Sequence, residues 1–554
     1  MITRDRAIEA LRSERFDLVV IGGGITGAGV ALDAASRGYS VALVEKADYS
    51  SGTSSRSSKL VHGGLRYLQN FDLGLVREAL LERQLLVRLA PHLVTPLQMV
   101  VAAFDGSRPG RLTGIGLNMY DVMATPVRGR RGSRRDDSDW SPARHRMISG
   151  EEVVELLPAL AERKPSSGYL FYDCQTDDSR LVLTVLSEAE RFGAICANRL
   201  EVCELLGGGS AALYDGAGSG VKVRDGETGE EFPIRADSVI NATGVWADRI
   251  RPEELHSEAE VPSIAPSRGT HITIAHEDLP LAGGAIVPAG EGRSIFALPW
   301  LGRTLLGTTD NNYSGDIDHV HPSIDDIEYL LDAANPFFGT TLGVDDLTGA
   351  YAGVRPLISS GDSRKSVDIS RKAELYETSS GLITITGGKL TTWRRMAKLA
   401  VDRLVEREGR DAPCRTHEIP LGQPIDADVL PRVGGVPDPS YRHLVSRYGH
   451  AAAQVIALAE DPTLAERIVE GQPDLLAEAV YAARFEQARS VGDVLLRRTR
   501  LWLLDAPAIS AGSDVPARVA EAVAGELGWD RERAELEAAR FAEEARAEGV
   551  ERVP

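Results

Sequence analysis

The sequence predicts an α/β protein with an all-α region at its C-terminal end, on two observations. Residues 16–46 have the pattern of a strand, a glycine-rich turn, a helix and a second strand. Beyond about residue 410 there are few strand signals and many Ala, Leu, Glu and Arg residues at helical spacing. We therefore expect a mixed α/β body followed by a separate helical domain.

The first unit is the best defined. Residues 17–21 form a short apolar, β-branched run of the kind that makes a buried parallel strand. Residues 28–37 predict a helix, with Gly38 as its natural C-terminal cap. Residues 40–44 predict the next strand. A strand–turn–helix–strand unit of about 30 residues is the core of a Rossmann-like dinucleotide-binding domain.

Later elements mix helices and strands. The apolar spacing predicts helices over 73–90, 181–193 and 393–408, and one short helix before residue 16. Strands are predicted at 221–223 and 238–241. Residues 409–440 are proline-rich and loop-like, which sets the boundary of the helical domain near residue 410.

Composition excludes several classes of protein. The chain has 62 Lys and Arg against 81 Asp and Glu, a net charge of −19, which argues against nucleic acid as its main partner. Its four cysteines form no CxxC pair, so we expect neither a metal site nor a disulfide framework. No signal peptide and no run of 18 apolar residues is visible. We expect a cytoplasmic protein, with peripheral membrane attachment left open.

The glycine-rich turn predicts a dinucleotide site. Gly22 permits the tight turn, Gly24 lets the backbone approach a pyrophosphate, and Gly27 allows the helix to pack closely on the strand. Glu45 ends the second strand, where a carboxylate can accept hydrogen bonds from ribose hydroxyls. The alternative is a glycine-rich turn without a ligand. The stretch at 53–67 is rich in hydroxyl groups and cations, which favours a cofactor around whose backbone this stretch wraps closely. A surface loop would have a similar composition.

That stretch resembles the signature of FAD-dependent glycerol-3-phosphate dehydrogenases, within the broader family similar to D-amino-acid oxidase. Further matching segments follow in order, and the similarity runs from about residue 16 to 505. They are Asp173–Leu181, Asn241–Trp246, Gly269–His271, Gly307–Asp310, Gly353–Pro356, Gly387–Thr392 and Arg497–Arg500.

The resemblance implies FAD as cofactor and two interleaved lobes in residues 16–410. The FAD-binding segments would be about 16–100, 170–250 and 345–408, the substrate lobe about 100–170 and 255–345, and the helical domain 411–554. The cofactor-binding residues it implies are Gly22, Gly24, Ile25, Thr26, Gly27, Glu45, Lys46, Thr53, Ser54, Ser55, Ser58, Lys59, Leu60, His62, Gly64, Leu200, Gly244, Trp246, Asp310, Gly388, Lys389, Leu390 and Thr391.

The implied substrate is sn-glycerol 3-phosphate, which would be oxidised to dihydroxyacetone phosphate. A phosphate ester needs several cations, and the planar fork of arginine suits it. The resemblance gives Arg66, Tyr67, His271, Arg355, Arg371 and Lys389 as substrate-binding residues. Oxidation of the alcohol also needs a base for the hydroxyl proton. Of these residues, His271, Arg355 and Lys389 are the catalytic candidates, and His62 is either a second base or a cofactor-packing residue.

Alternatives remain at this stage. The same motifs would serve an oxidase that passes electrons to oxygen, an amino-acid or amine oxidase, or a flavin-binding protein without activity. The resemblance favours quinone as electron acceptor, at the inner face of the cytoplasmic membrane, and leaves a homodimer open. Residues 128–146 hold seven arginines and three aspartates, which suits either anionic lipid or a solvated loop.

Overall fold

The computed structural model describes residues 1–64, 72–124, 142–207, 219–253, 255–290, 292–359, 373–510 and 512–549. Its helices, numbered here in chain order, are α1 (Arg4–Ser13), α2 (Ile25–Ser36), α3 (Leu73–Leu89), α4 (Arg111–Ala124), α5 (Gly150–Leu156), α6 (Asp178–Arg191), α7 (Ile324–Phe338), α8 (Trp393–Glu408), α9 (Asp438–Tyr448), α10 (Ala452–Leu458), α11 (Leu476–Phe485), α12 (Leu501–Leu504), α13 (Ala506–Ile509), α14 (Val515–Leu527) and α15 (Arg531–Ala547). A π-helical segment covers Asp493–Arg498.

Eighteen strands occur in the described ranges. They are β1 (Arg15–Ile21), β2 (Val41–Val44), β3 (Leu60–Val61), β4 (Thr95–Ala103), β5 (Arg146–Ser149), β6 (Ser167–Gln175), β7 (Ile195–Ala197), β8 (Leu200–Leu206), β9 (Gly220–Asp225), β10 (Glu231–Asn241), β11 (Ile264–Ala275), β12 (Gly284–Pro288), β13 (Ser294–Trp300), β14 (Arg303–Gly307), β15 (Asn311–Asn312), β16 (Leu347–Ile358), β17 (Ala373–Glu377) and β18 (Ile383–Gly387).

The first sheet has the order β17, β18, β10, β1, β2, β7, with β9 paired to the first half of β10 and β8 paired to β9. The strands β18, β10, β1, β2 and β7 run parallel. Their carboxyl ends therefore meet at one edge, where the loops after β1, β2, β10 and β18 collect. Helices α2 and α8 pack together beside this sheet, and Gly29 makes room for the Trp393 ring.

The second sheet is mixed and contains β15, β11, β14, β13, β12, β4, β6 and β3 in order, with β16 paired to β11 and β5 to β6. Strand β11 lies between β14 and β16, so His271 has Gly307 on one side and Tyr351 on the other. This sheet takes in β3 and β16, although both lie inside segments that we expected to bind FAD. The chain thus crosses between the sheets more often than its motifs indicate.

The helices after residue 410 contribute to two apolar clusters. Buried apolar residues of α11 to α15 form one continuous cluster with those of the second sheet, including Trp502, Leu503 and Phe541. A smaller cluster joins α9, α10 and α11. The predicted all-α character is confirmed, while the helices are packed against the mixed sheet rather than standing apart from it.

Most predicted elements occur close to their expected positions. The helix predicted over 28–37 begins three residues earlier, at Ile25, because the glycine turn leads directly into it. The predicted helix at 393–408 has the observed bounds. Within the described ranges, no helix combines the length and the apolar character needed to cross a bilayer.

Candidate functional site

A cavity of about 730 Å³ lies where loops of both sheets meet. It is within the size range of ligand-binding clefts. Most of the predicted site residues line it. These are Gly22, Gly24, Ile25, Thr26, Glu45, Lys46, Thr53, Ser54, Ser58, Leu60, His62, Gly64, Leu200, Gly244, Trp246, His271, Asp310, Arg355, Gly388, Lys389, Leu390 and Thr391.

The turn after β1 has the geometry that its glycines predict. Gly22 has a φ of 113°, and a Cβ on it would lie 2.8 Å from the carbonyl oxygen of Ala242. A Cβ on Gly27 would lie 1.9 Å from the carbonyl oxygen of Gly22, so helix and turn are in direct contact. Gly24 caps α2, whose N-terminal amides open toward the cavity.

Glu45 is held by two backbone amides at the end of β2. Gly23 donates to its Oε2 at 2.7 Å and Ala47 donates to its Oε1 at 2.9 Å. Burial raises the pKa of Glu45, while these two amides oppose the shift. The carboxylate is therefore oriented in the cavity wall at the position where a ribose would be bound.

The segment 53–58 lies beside the start of α2 and contributes Thr53, Ser54 and Ser58 to the cavity wall. Ser54 Oγ accepts a hydrogen bond of 3.0 Å from the Ile25 amide, and Thr53 Oγ1 donates at 2.7 Å to the carbonyl oxygen of Val354. These two contacts attach the segment to α2 and to β16. That this hydroxyl-rich stretch wraps a ligand stays a prediction.

The turn at Gly387–Thr392 closes another wall. Gly387 and Gly388 both have positive φ, and a Cβ on Gly388 would lie 2.3 Å from the sulfur of Met396. Thr391 Oγ1 accepts from the His62 amide at 3.0 Å and lies 3.2 Å from the His62 carbonyl oxygen. His62 is thereby tied to this turn through its backbone, and it lines the cavity.

His271 is 3% exposed and lies on the cavity wall. Its Nε2 is 2.8 Å from Ser58 Oγ, and its ring stacks on Tyr351 with centroids 4.7 Å apart and an interplanar angle of 5°. Burial, followed by the positive charges of Lys59 and Arg355, lowers the pKa of His271 well below its usual range. The lowered pKa favours the neutral imidazole over the imidazolium.

Arg355 crosses the cavity wall beside β14. Its guanidinium donates to Thr308 Oγ1 at 3.2 Å and to the Thr309 carbonyl oxygen at 3.1 Å, and lies 3.3 Å from Asp310 Oδ1. The side chain remains 24% exposed. The arrangement presents an oriented cation to the cavity.

Three predicted cofactor residues do not line the cavity. Gly27 acts by packing, and Ser55 and Lys59 face the protein interior. Lys59 is fully buried, and its Nζ donates to Asp178 Oδ2 at 2.8 Å and to the Ser55 carbonyl oxygen at 2.7 Å. Ser55 and Lys59 could therefore contact a ligand in the cavity only through their backbone atoms. The predicted residues Arg66, Tyr67 and Arg371 lie outside the described residues.

Residues that sequence reasoning missed surround this buried lysine. Asp178 accepts hydrogen bonds from Ser57 and from Arg500, and Tyr351 donates to the Ser57 carbonyl oxygen at 2.6 Å. Asp178 lies inside the matched segment Asp173–Leu181, so its motif was a usable signal. Tyr351 precedes the motif at Gly353 and gave none.

A second missed group lies near Gly63. Tyr120 Oη donates to Asp173 Oδ1 at 2.6 Å and accepts from the Gly63 amide at 2.8 Å, and Arg83 pairs with the same carboxylate at 2.6 Å. Asp173 also lines the cavity. This network supports the backbone immediately before the predicted substrate residues Arg66 and Tyr67.

One cluster of His443, Asp474 and Glu478 has metal-ligand composition. However, Arg447 donates to Asp474 at 2.5 Å and to Glu478 at 2.7 Å. The guanidinium already supplies the positive charge that these carboxylates need, so the cluster is a buried ion-pair network.

Comparisons with known proteins identify the family of the chain. Residues 17–403 match the family model described as FAD dependent oxidoreductase, and residues 382–534 match the C-terminal domain of alpha-glycerophosphate oxidase. A mitochondrial glycerol-3-phosphate dehydrogenase of Arabidopsis thaliana is 36% identical over 96% of this chain and 86% of its own length. Glycerol-3-phosphate dehydrogenase 1 of Mycobacterium tuberculosis is 39% identical over 88% of this chain and 92% of its own.

A solved structure supports the fold over nearly the whole chain. The glycerol-3-phosphate dehydrogenase of Bacillus halodurans, complexed with FAD, has a TM-score of 0.75 and 30% identity, covering 98% of this chain and 96% of that one. From the family match and these relatives, the chain belongs to the FAD-dependent oxidoreductase family, in the group of the glycerol-3-phosphate dehydrogenases.

Proposed function

We propose that this enzyme oxidises sn-glycerol 3-phosphate to dihydroxyacetone phosphate by loss of a hydride from the secondary alcohol carbon, for which FAD would be the acceptor when bound. The observation that carries this proposal is the meeting of two sets of residues in one cavity. The dinucleotide turn at Gly22–Gly24 with Glu45 forms one part of the wall, and His271, Arg355 and Lys389 form another. Names of relatives supply the substrate, and the cavity supplies suitable groups for it.

The residues present fit FAD. The cradle at Gly22, where a Cβ would collide with Ala242, and the amide-held carboxylate of Glu45 are suited to a pyrophosphate and a ribose. The turn at Gly387–Gly388 would hold the ring system. When bound, FAD supplies a hydride acceptor. We also propose that the chain divides into FAD-binding segments, a substrate lobe and a helical C-terminal domain. The boundary of the helical domain is placed at residue 410.

Phosphate recognition is assigned to Arg355 and Lys389, with Arg66, Tyr67 and Arg371 as further predicted contacts outside the described residues. Arg355 is oriented by Thr308, Thr309 and Asp310, so little conformational freedom is lost when it donates to phosphate oxygens. A planar guanidinium can make two parallel hydrogen bonds to one phosphate. This distinguishes a phosphate ester from glycerol, which has no anionic group.

His271 is assigned as the base for the hydroxyl proton. Loss of hydride from the alcohol carbon leaves a carbonyl only if the hydroxyl proton also leaves. The atom we assign is Nε2, which meets Ser58 Oγ in the cavity wall. The lowered pKa keeps the ring in its neutral form before the reaction, and Arg355 and Lys389 would stabilise the developing negative charge on oxygen.

An anaerobic spectral titration tests the proposal. Purified protein should hold FAD, and sn-glycerol 3-phosphate should bleach its flavin absorbance, while glycerol and D-amino acids should not. Bleaching by D-amino acids would favour the amino-acid oxidase alternative. Equal bleaching by glycerol would remove the argument from phosphate-binding cations.

For the electron acceptor we propose quinone, reached by peripheral attachment to the cytoplasmic face of a membrane. Helix α4 supports this choice. It turns Leu112, Ile115 and Val122 outward, 84%, 57% and 69% exposed, along one helical stripe. Thr113 of the same helix lines the cavity, so the stripe lies near the site. Exposed Arg108 and Arg111 stand at the start of the helix.

An apolar stripe with adjacent cations suits the interface of an anionic bilayer. The arginine-rich residues 128–146 follow α4 in sequence, and all but the last five of them lie outside the described residues. Assays with quinone analogues and with oxygen separate the two acceptors. Rapid peroxide formation and indifference to quinones would make the protein an oxidase. The homodimer stays a prediction for sedimentation analysis.

A further inference from the structure

We propose that Arg500 and Trp502, from the C-terminal part of the chain, are positioning residues for His271. The proposal rests on the role given to His271 above and adds two residues more than 200 positions away in sequence. Both act through intermediates: Trp502 through Tyr351, and Arg500 through the loop that carries Ser58.

Tyr351 is the first intermediate. Its ring stacks on the His271 imidazole, and its hydroxyl donates to the Ser57 carbonyl oxygen. It is completely buried. On the other side of the imidazole, a Cβ on Gly307 would lie 2.1 Å from His271 Cδ2. The ring of His271 is thus confined between a backbone and Tyr351, and movement of Tyr351 would release it.

Helix α12 lies directly against the two strands that carry this pair. Trp502 contacts the Tyr351 ring with centroids 5.9 Å apart. Thr273, two residues after His271 on β11, donates to the Leu503 carbonyl oxygen at 2.6 Å. A Cβ on Gly349, two residues before Tyr351, would lie 2.7 Å from the Trp502 carbonyl oxygen. Residues two positions apart in a strand point to the same face. The helix therefore packs against the face of β11 and β16 that carries His271 and Tyr351.

Arg500 controls the second intermediate, the loop at 55–59. Its guanidinium donates to the Ser55 carbonyl oxygen at 2.7 Å and to Asp178 Oδ1 at 3.2 Å. Asp178 in turn accepts from Ser57 Oγ at 2.7 Å and from its amide at 3.0 Å. Ser58, the hydrogen-bond partner of His271, is the next residue. Loss of Arg500 would leave the loop attached by fewer contacts.

The backbone at Arg500 supports a specific requirement for this residue. Its φ is 66°, in the left-handed region that residues other than glycine seldom adopt. The side chain is fully buried, and it shares the Asp178 carboxylate with Lys59. A buried arginine in a costly backbone conformation, donating to the loop before Ser58, is hard to account for as general packing.

The test compares Arg500→Lys, Trp502→Phe and Tyr351→Phe with wild type. Anaerobic stopped-flow measures the rate constant of flavin reduction at saturating sn-glycerol 3-phosphate, and KM, FAD content and Tm are recorded in parallel. We expect the rate constant to fall by about 10- to 100-fold, the effect that a small misplacement of a reacting group produces. FAD content and KM should stay within about twofold of wild type, a factor worth under 0.5 kcal/mol.

Matched controls come from the same part of the chain. Arg518 also donates to carbonyl oxygens, those of Ile468 and Arg467, and Trp529 packs against the same apolar cluster. Arg518→Lys and Trp529→Phe should reduce the flavin at the wild-type rate. If all five variants lose rate only in proportion to Tm, the role is structural and the proposal is wrong.

A second readout does not depend on the substrate. In protein with ¹³Cε1-labelled histidine, the His271 signal, assigned by its loss in His271→Asn, reports the ring current of Tyr351 and the bond to Ser58. It should shift in Arg500→Lys and Trp502→Phe and stay in place in Arg518→Lys. An unmoved signal would overturn the proposal, whatever the substrate. If wild type is not reduced by sn-glycerol 3-phosphate, the proposed function fails while this spectral result still decides the positioning role.

Discussion

Gly269 on β11 and Arg355 on β16 are close neighbours. The guanidinium of Arg355 occupies the space that a side chain on Gly269 would fill. A Cβ on Gly269 would lie 2.4 Å from a terminal guanidinium nitrogen of Arg355 and 2.6 Å from Thr308 Oγ1. The glycine is therefore needed for the path of the arginine into the cavity rather than for its own backbone conformation.

Gly269→Ala should consequently displace Arg355 and raise the KM for sn-glycerol 3-phosphate. Loss of one charged hydrogen bond costs about 1.5–3 kcal/mol, or about tenfold to a hundredfold in affinity. FAD content should be unchanged because the dinucleotide turn is not touched. Gly525→Ala, where the added Cβ meets nothing within 4 Å, is the control. A wild-type KM in the first variant would show that Arg355 does not contact the substrate.

Arg355→Lys tests the guanidinium fork directly. Lysine keeps the positive charge but cannot make two parallel hydrogen bonds or keep the contacts with Thr308 and Thr309. We expect kcat/KM to fall by about tens to thousands of fold, which corresponds to about 2–5 kcal/mol in a desolvated site. Steady-state kinetics and the flavin absorbance per mole of protein measure the two effects separately. Equal loss of FAD and activity would assign Arg355 to the cofactor instead.

Gly27→Ala should abolish FAD binding. The added Cβ would lie 1.9 Å from the Gly22 carbonyl oxygen, so the turn and α2 must separate. The N-terminal amides of α2 would then no longer face the pyrophosphate. Absorbance of the purified protein near the flavin maximum gives the answer, with reconstitution by added FAD as a second measurement. A yellow Gly27→Ala protein would contradict the assignment of this turn.

The local parts of the fold were predictable because their signals lie within a few residues of one another. The glycine turn, Glu45 and the helix at 393–408 are examples. Contacts that depend on the pairing of distant strands were not predictable: nothing near Tyr351 indicates that it would stack on His271. The same holds for Lys59, which lies in a cofactor-like motif but pairs with Asp178, about 120 residues away. Arg500 was recognised as part of a motif, but its partners come from the N-terminal loop.

The pH dependence of kcat/KM should reflect a neutral His271. Burial first, and then Lys59 and Arg355, lower the pKa of this imidazole well below 6.5. A lowered pKa means that the ring stays an acceptor as the pH falls, so the acid limb should lie well below pH 6.5. Burial lowers the pKa of Lys59 to about 7, so Lys59 is protonated at pH values well below 6.5.

Removing the charge of Lys59 should therefore raise the pKa of His271 and move the acid limb to higher pH. Lys59→Met removes this charge while Asp178 keeps Arg500 as its cationic partner, so no buried carboxylate is left unpaired. The rates are measured from pH 4.5 to 9, with FAD content followed at each end. A wild-type acid limb at or above pH 6.5, or one that moves to lower pH in Lys59→Met, would contradict the assignment of His271 as base.

Membrane attachment should depend on the exposed stripe of α4. Replacing Leu112, Ile115 and Val122 with Ser removes apolar side chains that are more than half exposed, so the free energy of unfolding should change little. Binding to vesicles containing anionic lipid should weaken, since buried apolar area contributes about 25 cal/mol per Å².

Arg108→Gln with Arg111→Gln should make the remaining binding less sensitive to salt, because exposed cations act through screened charge. Leu399→Ser, another exposed apolar residue, on α8, is the control. Vesicle flotation at low and high salt, paired with quinone-analogue turnover, measures both effects. Wild-type flotation by the triple variant would place the membrane contact elsewhere.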